Sequence, residues 1–147
     1  MRSRPVLERG AGLLLLLLVA ACGTVKTPTE PSEEPGGGTA FPFTRIQAEI
    51  FTPNCATAGC HDAASGSAGL VLAAGRSYGE IVGRPATGRP SMNRIEPGDP
   101  NRSYLVKKLR GDADITGDRM PLGRPGGLPQ AQIDGLVAWV RAGAPND

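Results

Sequence analysis

The chain lacks an excess of charge of either sign. Its 147 residues contain 16 Lys and Arg against 14 Asp and Glu. Without the first 21 residues, which hold three Arg and one Glu, 13 residues of each sign remain. Long runs of like charge are absent as well. Because nucleic-acid binding needs a basic patch, this balance argues against nucleic-acid partners and against a charged interaction tail.

Large apolar residues are scarce. Aromatic residues make up only 4% of the chain, whereas glycine and proline number 21 and 14. A domain with long loops and few apolar side chains has a small hydrophobic core and needs another source of cohesion. A buried cofactor with a large apolar surface would supply it.

The first 21 residues have the layout of a secretory signal peptide. A start with three arginines precedes an apolar run that includes six leucines, Leu13–Leu18, and small residues follow. The run is too short for a comfortable transmembrane span. Its end, Val19-Ala20-Ala21-Cys22, resembles a bacterial lipobox, which implies that Cys22 carries lipid and begins the mature protein. The alternative is an ordinary signal peptide with a cysteine nearby.

The rest of the chain divides into a tether and one domain. Residues 22–39 hold the lipidated cysteine and a linker of mostly Gly, Pro, Thr and Glu, a composition typical of a solvated tether. Residues 40–147 form the domain. Its sequence predicts four helices, which start near Thr44, Ser77, Asp99 and Pro129. Two long loops, 84–98 and 111–128, separate the later helices.

Two cysteines and the only histidine lie within seven residues of the domain. Cys55 and Cys60 are separated by four residues, and His61 follows directly. A Cys-x-x-Cys-His spacing is typical of c-type haem attachment. Three interpretations are open: a haem site, a Cys55–Cys60 disulfide in an oxidising compartment, or a zinc site with only three of the usual four ligands.

From about residue 43 onward the chain resembles a monohaem cytochrome c domain of class I type. A helix leads into the cysteine–histidine segment, Met120-Pro121 precedes the last helix, and that helix carries Trp139. The resemblance implies an all-α fold, a cytochrome c-like bundle of short helices with long Gly/Pro-rich loops. It also implies that Ala48 of the first helix meets Trp139.

The same resemblance implies a set of cofactor-binding residues for one covalent haem c. Cys55 and Cys60 would be the thioether attachments, His61 the proximal iron ligand and Met120 the distal ligand, with Met92 as the rival. Four arginines are candidates to neutralise the haem propionates, although solvated loop charges are the default interpretation of all four: Arg84, Arg89, Arg94 and Arg119. The sequence departs from the family in its wide cysteine spacing and in lacking the Gly-Pro that commonly follows the haem histidine.

The function implied is one-electron transfer by a carrier, not an enzyme. The carrier would be a lipoprotein of the cell envelope, anchored to the membrane through its lipid and facing the periplasm. Its partners would be redox proteins. Two alternatives are a haem-free structural or binding lipoprotein with a Cys55–Cys60 disulfide, and a haem sensor or peroxidase-like accessory whose distal ligand leaves.

Overall fold

The structure is a computed structural model that describes residues 39–147. The predicted signal peptide, the lipidation of Cys22 and all but the last residue of the predicted linker lie outside the described residues. Within these residues the fold consists of five α-helices, a π-helical segment, two short 3-10 turns and a hairpin. The helices are α1 (Phe43–Ile46), α2 (Thr52–Asn54), α3 (Ser77–Ile81), α4 (Tyr104–Arg110) and α5 (Gln130–Arg141), and the strands are β1 (Pro85–Ala86) and β2 (Arg89–Asn93).

A π-helical segment, Gln47–Phe51, joins α1 to α2 without a break. Phe43 and Ile46 of α1 and Ile50 of the π segment are buried, as their helical spacing predicts. The expected contact between Ala48 and Trp139 is wrong, because Ala48 is exposed and Phe43 lies against the indole at 5.5 Å between ring centroids. The wider turn of the π segment changes which side chains face the core.

A two-stranded antiparallel sheet occupies the segment predicted as the loop 84–98. β1 and β2 pair with Ala86 opposite Arg89, so Thr87 and Gly88 form the turn. Proline and glycine indicated a loop here, but each strand of a two-stranded sheet has a free edge and tolerates proline. The sheet adds a β component that the all-α prediction did not include, and the cytochrome c-like fold stays a prediction.

The third predicted helix is two elements. The carboxylate of Asp99 accepts hydrogen bonds from the backbone of Asn101 and Arg102, as expected of a cap, but it caps a short 3-10 turn, Pro100–Arg102. Ser103 is extended, and α4 starts after it. Gly111 ends α4 in a left-handed conformation (φ 76°), which glycine adopts without strain.

The core lies between the first helical stretch, α4 and α5. Helix α5 contributes most of its apolar face: Ile133, Leu136, Val137, Trp139 and Val140. Gly135 of the same helix lies so close to Phe41 that a Cβ atom there would be 2.5 Å from the phenyl ring. This packing fixes the helices that carry the cysteine–histidine segment and the loop of Met120.

Candidate haem site

The cysteine–histidine segment is a closed loop at the end of α2. The backbone N–H of Cys55 donates to the carbonyl of Phe51 at 2.9 Å, which ties the segment to the helix. The N–H of His61 donates back to the carbonyl of Cys55 at 3.0 Å. Thr57 and Gly59 bulge outward and are exposed. The four intervening residues therefore add a bulge while Cys55 and His61 remain adjacent.

The two thiols have different surroundings. Cys55 is buried and Cys60 is exposed, and both are free thiols. Burial, with a smaller contribution from Cys60, raises the pKa of Cys55 from 9.0 to about 12. At neutral pH Cys55 is therefore a neutral thiol.

The imidazole of His61 is oriented by a backbone carbonyl. Its Nδ1 lies 3.2 Å from the carbonyl oxygen of Leu70. Because a carbonyl can only accept, this bond places the proton on Nδ1 and leaves the lone pair of the neutral ring on Nε2. Histidines that bind metals commonly have this arrangement. Leu70 thus takes the place of a partner that the sequence, without the Gly-Pro, did not reveal.

Gln47 supports the strand-like segment that holds His61. Its side-chain amide donates to the carbonyl of Leu72 at 3.0 Å, and its amide oxygen accepts from the buried hydroxyl of Ser77. The N–H of Leu72 in turn donates to the carbonyl of His61 at 2.7 Å. The π segment therefore reaches His61 through two hydrogen bonds.

Met120 lies in the loop between α4 and α5. It is half-buried and packs against the core, and its backbone N–H donates to the carbonyl of Lys108 at 2.9 Å. Met92 is also half-buried but lies on β2. The two candidate distal ligands therefore occupy different elements.

One cavity of about 530 Å³ brings the predicted haem residues together. Cys55, Cys60, His61 and Met120 all line it, and Met92 does not. Buried side chains form its apolar wall: Phe51, Leu72, Ala86, Tyr104, Leu105 and Leu109. The volume falls within the range of roughly 300–1,000 Å³ of sites for small molecules and cofactors.

The residues present fit a c-type haem. Two thiols, an imidazole with its lone pair on Nε2 and a thioether sulfur face one largely apolar space. Thioether attachment needs the two thiols, and a low-spin iron needs the imidazole and the methionine sulfur as ligands. Within residues 39–147 no three His, Cys, Asp or Glu side chains are placed to hold a metal ion between them.

Arg94 is the one candidate propionate partner that lines the cavity. Its guanidinium donates to the carbonyls of Glu80 at 2.7 Å and Gly69 at 2.9 Å. The other candidates are engaged elsewhere: Arg89 pairs with Asp114, while Arg84 and Arg119 donate to backbone carbonyls.

Comparisons with models of protein families, with curated proteins and with solved structures found no match to this chain. The resemblance to cytochromes c therefore stays a prediction from the sequence. In the part of the chain that the structure describes, no helix is both long and apolar enough to cross a membrane.

Sequence reasoning missed several residues of the site. The carbonyl of Leu70 carries no sequence signal, because any residue offers one. Gln47 is part of the capping-box spacing with Thr44, yet its side chain bonds to Leu72 and Ser77. Lys108 also lines the cavity, whereas a lysine in the last turn of a helix signals only a favourable interaction with the helix dipole.

Proposed function

We propose that the domain is an electron carrier that holds one covalent haem c, tethered by lipid to a membrane and facing the periplasm. The observation that supports the haem most directly is the cavity shared by Cys55, Cys60, His61 and Met120. Cys55, Cys60 and His61 are neighbours in the chain, whereas Met120 comes from a different loop much later in the sequence. A haem, when bound, supplies an iron that changes between ferrous and ferric states.

Each residue has a distinct role in this proposal. Cys55 and Cys60 would hold the haem covalently, and the Nε2 of His61 and the sulfur of Met120 would hold its iron. Leu70 keeps the His61 lone pair on Nε2. With His61 and Met120 both holding the iron, no open position would be left for a substrate, which favours a carrier over an enzyme.

The fold and location belong to the same proposal. The helices would form a cytochrome c-like bundle to which the β1–β2 hairpin is added. Cys22 would carry the lipid, and the linker would let the domain reach redox partner proteins near the membrane surface. Replacing Cys22 with Ser should release a protein without lipid into the soluble fraction of the envelope. A variant that remains lipidated and membrane-bound would reject Cys22 as the anchor.

The decisive measurement is whether haem stays attached to the chain after denaturation. The full chain is exported in a host that has a cytochrome c maturation system. The wild type, Cys55→Ser, Cys60→Ser and the double variant are then run on a denaturing gel, and their haem staining is compared. We expect stain in the wild type and none in the double variant. A wild type without stain whose mass shows a Cys55–Cys60 disulfide would reject the haem and support the haem-free alternative.

The distal ligand has its own test with a matched control. Ferric haem with methionine ligation shows a weak far-red absorption band. Met120→Ala should lose the band, whereas Met92→Ala should keep it, because only Met120 lines the cavity. The reverse result would assign Met92 as the ligand.

A further inference from the structure

The end of helix α4 carries the loop that bears Met120. The last carbonyls of a helix have no partners within it. Here the carbonyl of Lys108 accepts from the N–H of Met120 at 2.9 Å, and the carbonyl of Leu109 accepts from Nε of Arg119 at 2.8 Å. Residues 119 and 120 are thus attached to the last turn of α4.

The side chain of Lys108 holds the turn just before Met120. Its Nζ donates to the carbonyl of Thr116 at 2.9 Å and to the carbonyl of Asp118. Hydrogen bonds from an ammonium group are stronger than those between neutral groups. Among the ion pairs within residues 39–147, none involves Lys108. Its charge is therefore directed at two carbonyls of the 116–118 turn.

Tyr104 contacts the same turn from the same face of α4. It precedes Lys108 by four residues, a spacing that places two side chains side by side on a helix. Its hydroxyl accepts from the N–H of Thr116 at 2.9 Å. The hydroxyl of Thr116 donates to the carbonyl of Gly88 at 2.9 Å, which links the turn to the hairpin. Tyr104, Lys108 and Thr116 all line the cavity.

We propose that Lys108 is a positioning residue, which fixes the 116–118 turn on α4 and thereby keeps Met120 at the cavity. That Met120 then serves as an iron ligand rests on the proposed function. The attachment of the turn to α4 does not rest on the proposed function, because it depends only on contacts within the chain.

Lys107 offers a matched control. It is the preceding residue of the same helix, and it lies 3.1 Å from a carboxylate oxygen of Asp114 and 3.4 Å from one of Asp112. It makes none of the contacts with the 116–118 turn and does not line the cavity. Lys107→Met and Lys108→Met remove the same charge from the same helix but only the second releases the turn.

The first readout is hydrogen exchange of the full chain. In Lys108→Met the amides of Thr116 and Met120 should exchange at least about tenfold faster than in the wild type, since local opening sets exchange rates. In Lys107→Met they should exchange at the wild-type rate. Lys108→Arg, which keeps the charge and several donors, should stay closer to the wild type than Lys108→Met does. Equal rates in the two methionine variants would overturn the proposal, as would equal loss of protection in Lys108→Arg and Lys108→Met.

The second readout uses protein that carries haem. Lys108→Met should weaken the far-red methionine band and bind added imidazole about tenfold more tightly, since a less well-held Met120 is easier to displace. Lys107→Met should do neither. Absence of haem in the wild type would reject the proposed function while hydrogen exchange still tests Lys108. An intact band in Lys108→Met, with imidazole affinity unchanged, would overturn the role of Lys108 while leaving the haem assignment in place.

Discussion

The unequal surroundings of the two thiols predict that they react at very different rates before any haem is attached. The perturbation is alkylation of reduced full-length protein, produced without haem maturation, with iodoacetamide near neutral pH. The reactive species is the thiolate, and its fraction falls about tenfold for each pKa unit. With its pKa raised from 9.0 to about 12, Cys55 holds about a thousandfold less thiolate than an ordinary cysteine.

Burial works in the same direction. Only 8% of Cys55 is accessible, whereas Cys60 is exposed in the bulge that precedes His61. Cys60 should therefore be labelled first, with Cys55 slower by about two to three orders of magnitude. As the pH rises toward 12, the thiolate of Cys55 becomes populated and its rate should climb.

The assay is peptide mass spectrometry of samples quenched at intervals. The single tryptophan, Trp139, is buried, so its fluorescence emission reports in the same sample whether the domain is folded. In denaturant both cysteines should react at similar rates. Similar rates in the folded protein would refute the placement of Cys55 in an apolar wall.

Packing and hydrogen bonding give further predictions, each measured by urea unfolding. Gly135→Ala should lower the free energy of unfolding by about 1–3 kcal/mol, because the new methyl group would meet Phe41. Gly79→Ala, also within a helix but with no atom from another part of the chain within 4 Å of the added carbon, should raise it by about 0.5–1 kcal/mol; changes of the same sign would contradict the packing argument. Ser77→Ala should lower the free energy of unfolding by about 1–3 kcal/mol, because it leaves the amide oxygen of Gln47 without its donor. An unchanged urea midpoint would mean that this hydrogen bond does not contribute to stability.

Residues whose role depends on the chemical type of their own side chain could be found from the sequence. Cys55, Cys60 and His61 are neighbours in the chain, so their proximity follows from chain connectivity alone. Met120 was placed by resemblance, and the structure brings it to the same cavity. The helix ends at Gly111 and Pro129 also follow from local rules, because a left-handed glycine and a proline act within their own turn.

Contacts made by backbone groups across the fold could not be found in this way. The partner of His61 is a carbonyl nine residues on, and the partners of Lys108 are carbonyls eight and ten residues on. Every residue has a carbonyl, so only the three-dimensional path of the chain selects which one is used. The β1–β2 hairpin was missed for a related reason: its pairing satisfies the backbone of a segment whose side chains indicate a loop.

The exposed part of the cavity lining carries almost no charge and consists of small side chains and one large apolar side chain, Leu122. Thr57, Ala68, Thr87, Gly88 and Gly117 are all exposed there, with Asp118 the one exposed charged residue of the lining. Charged rims guide partners over distance and make association rates fall steeply with added salt. Because the other charged residues of the lining, Arg94 and Lys108, are half-buried, this mouth offers little such guidance. Encounters with a partner at this mouth would depend on shape and on the local concentration that the proposed membrane tether would create, and their rate would change little with ionic strength.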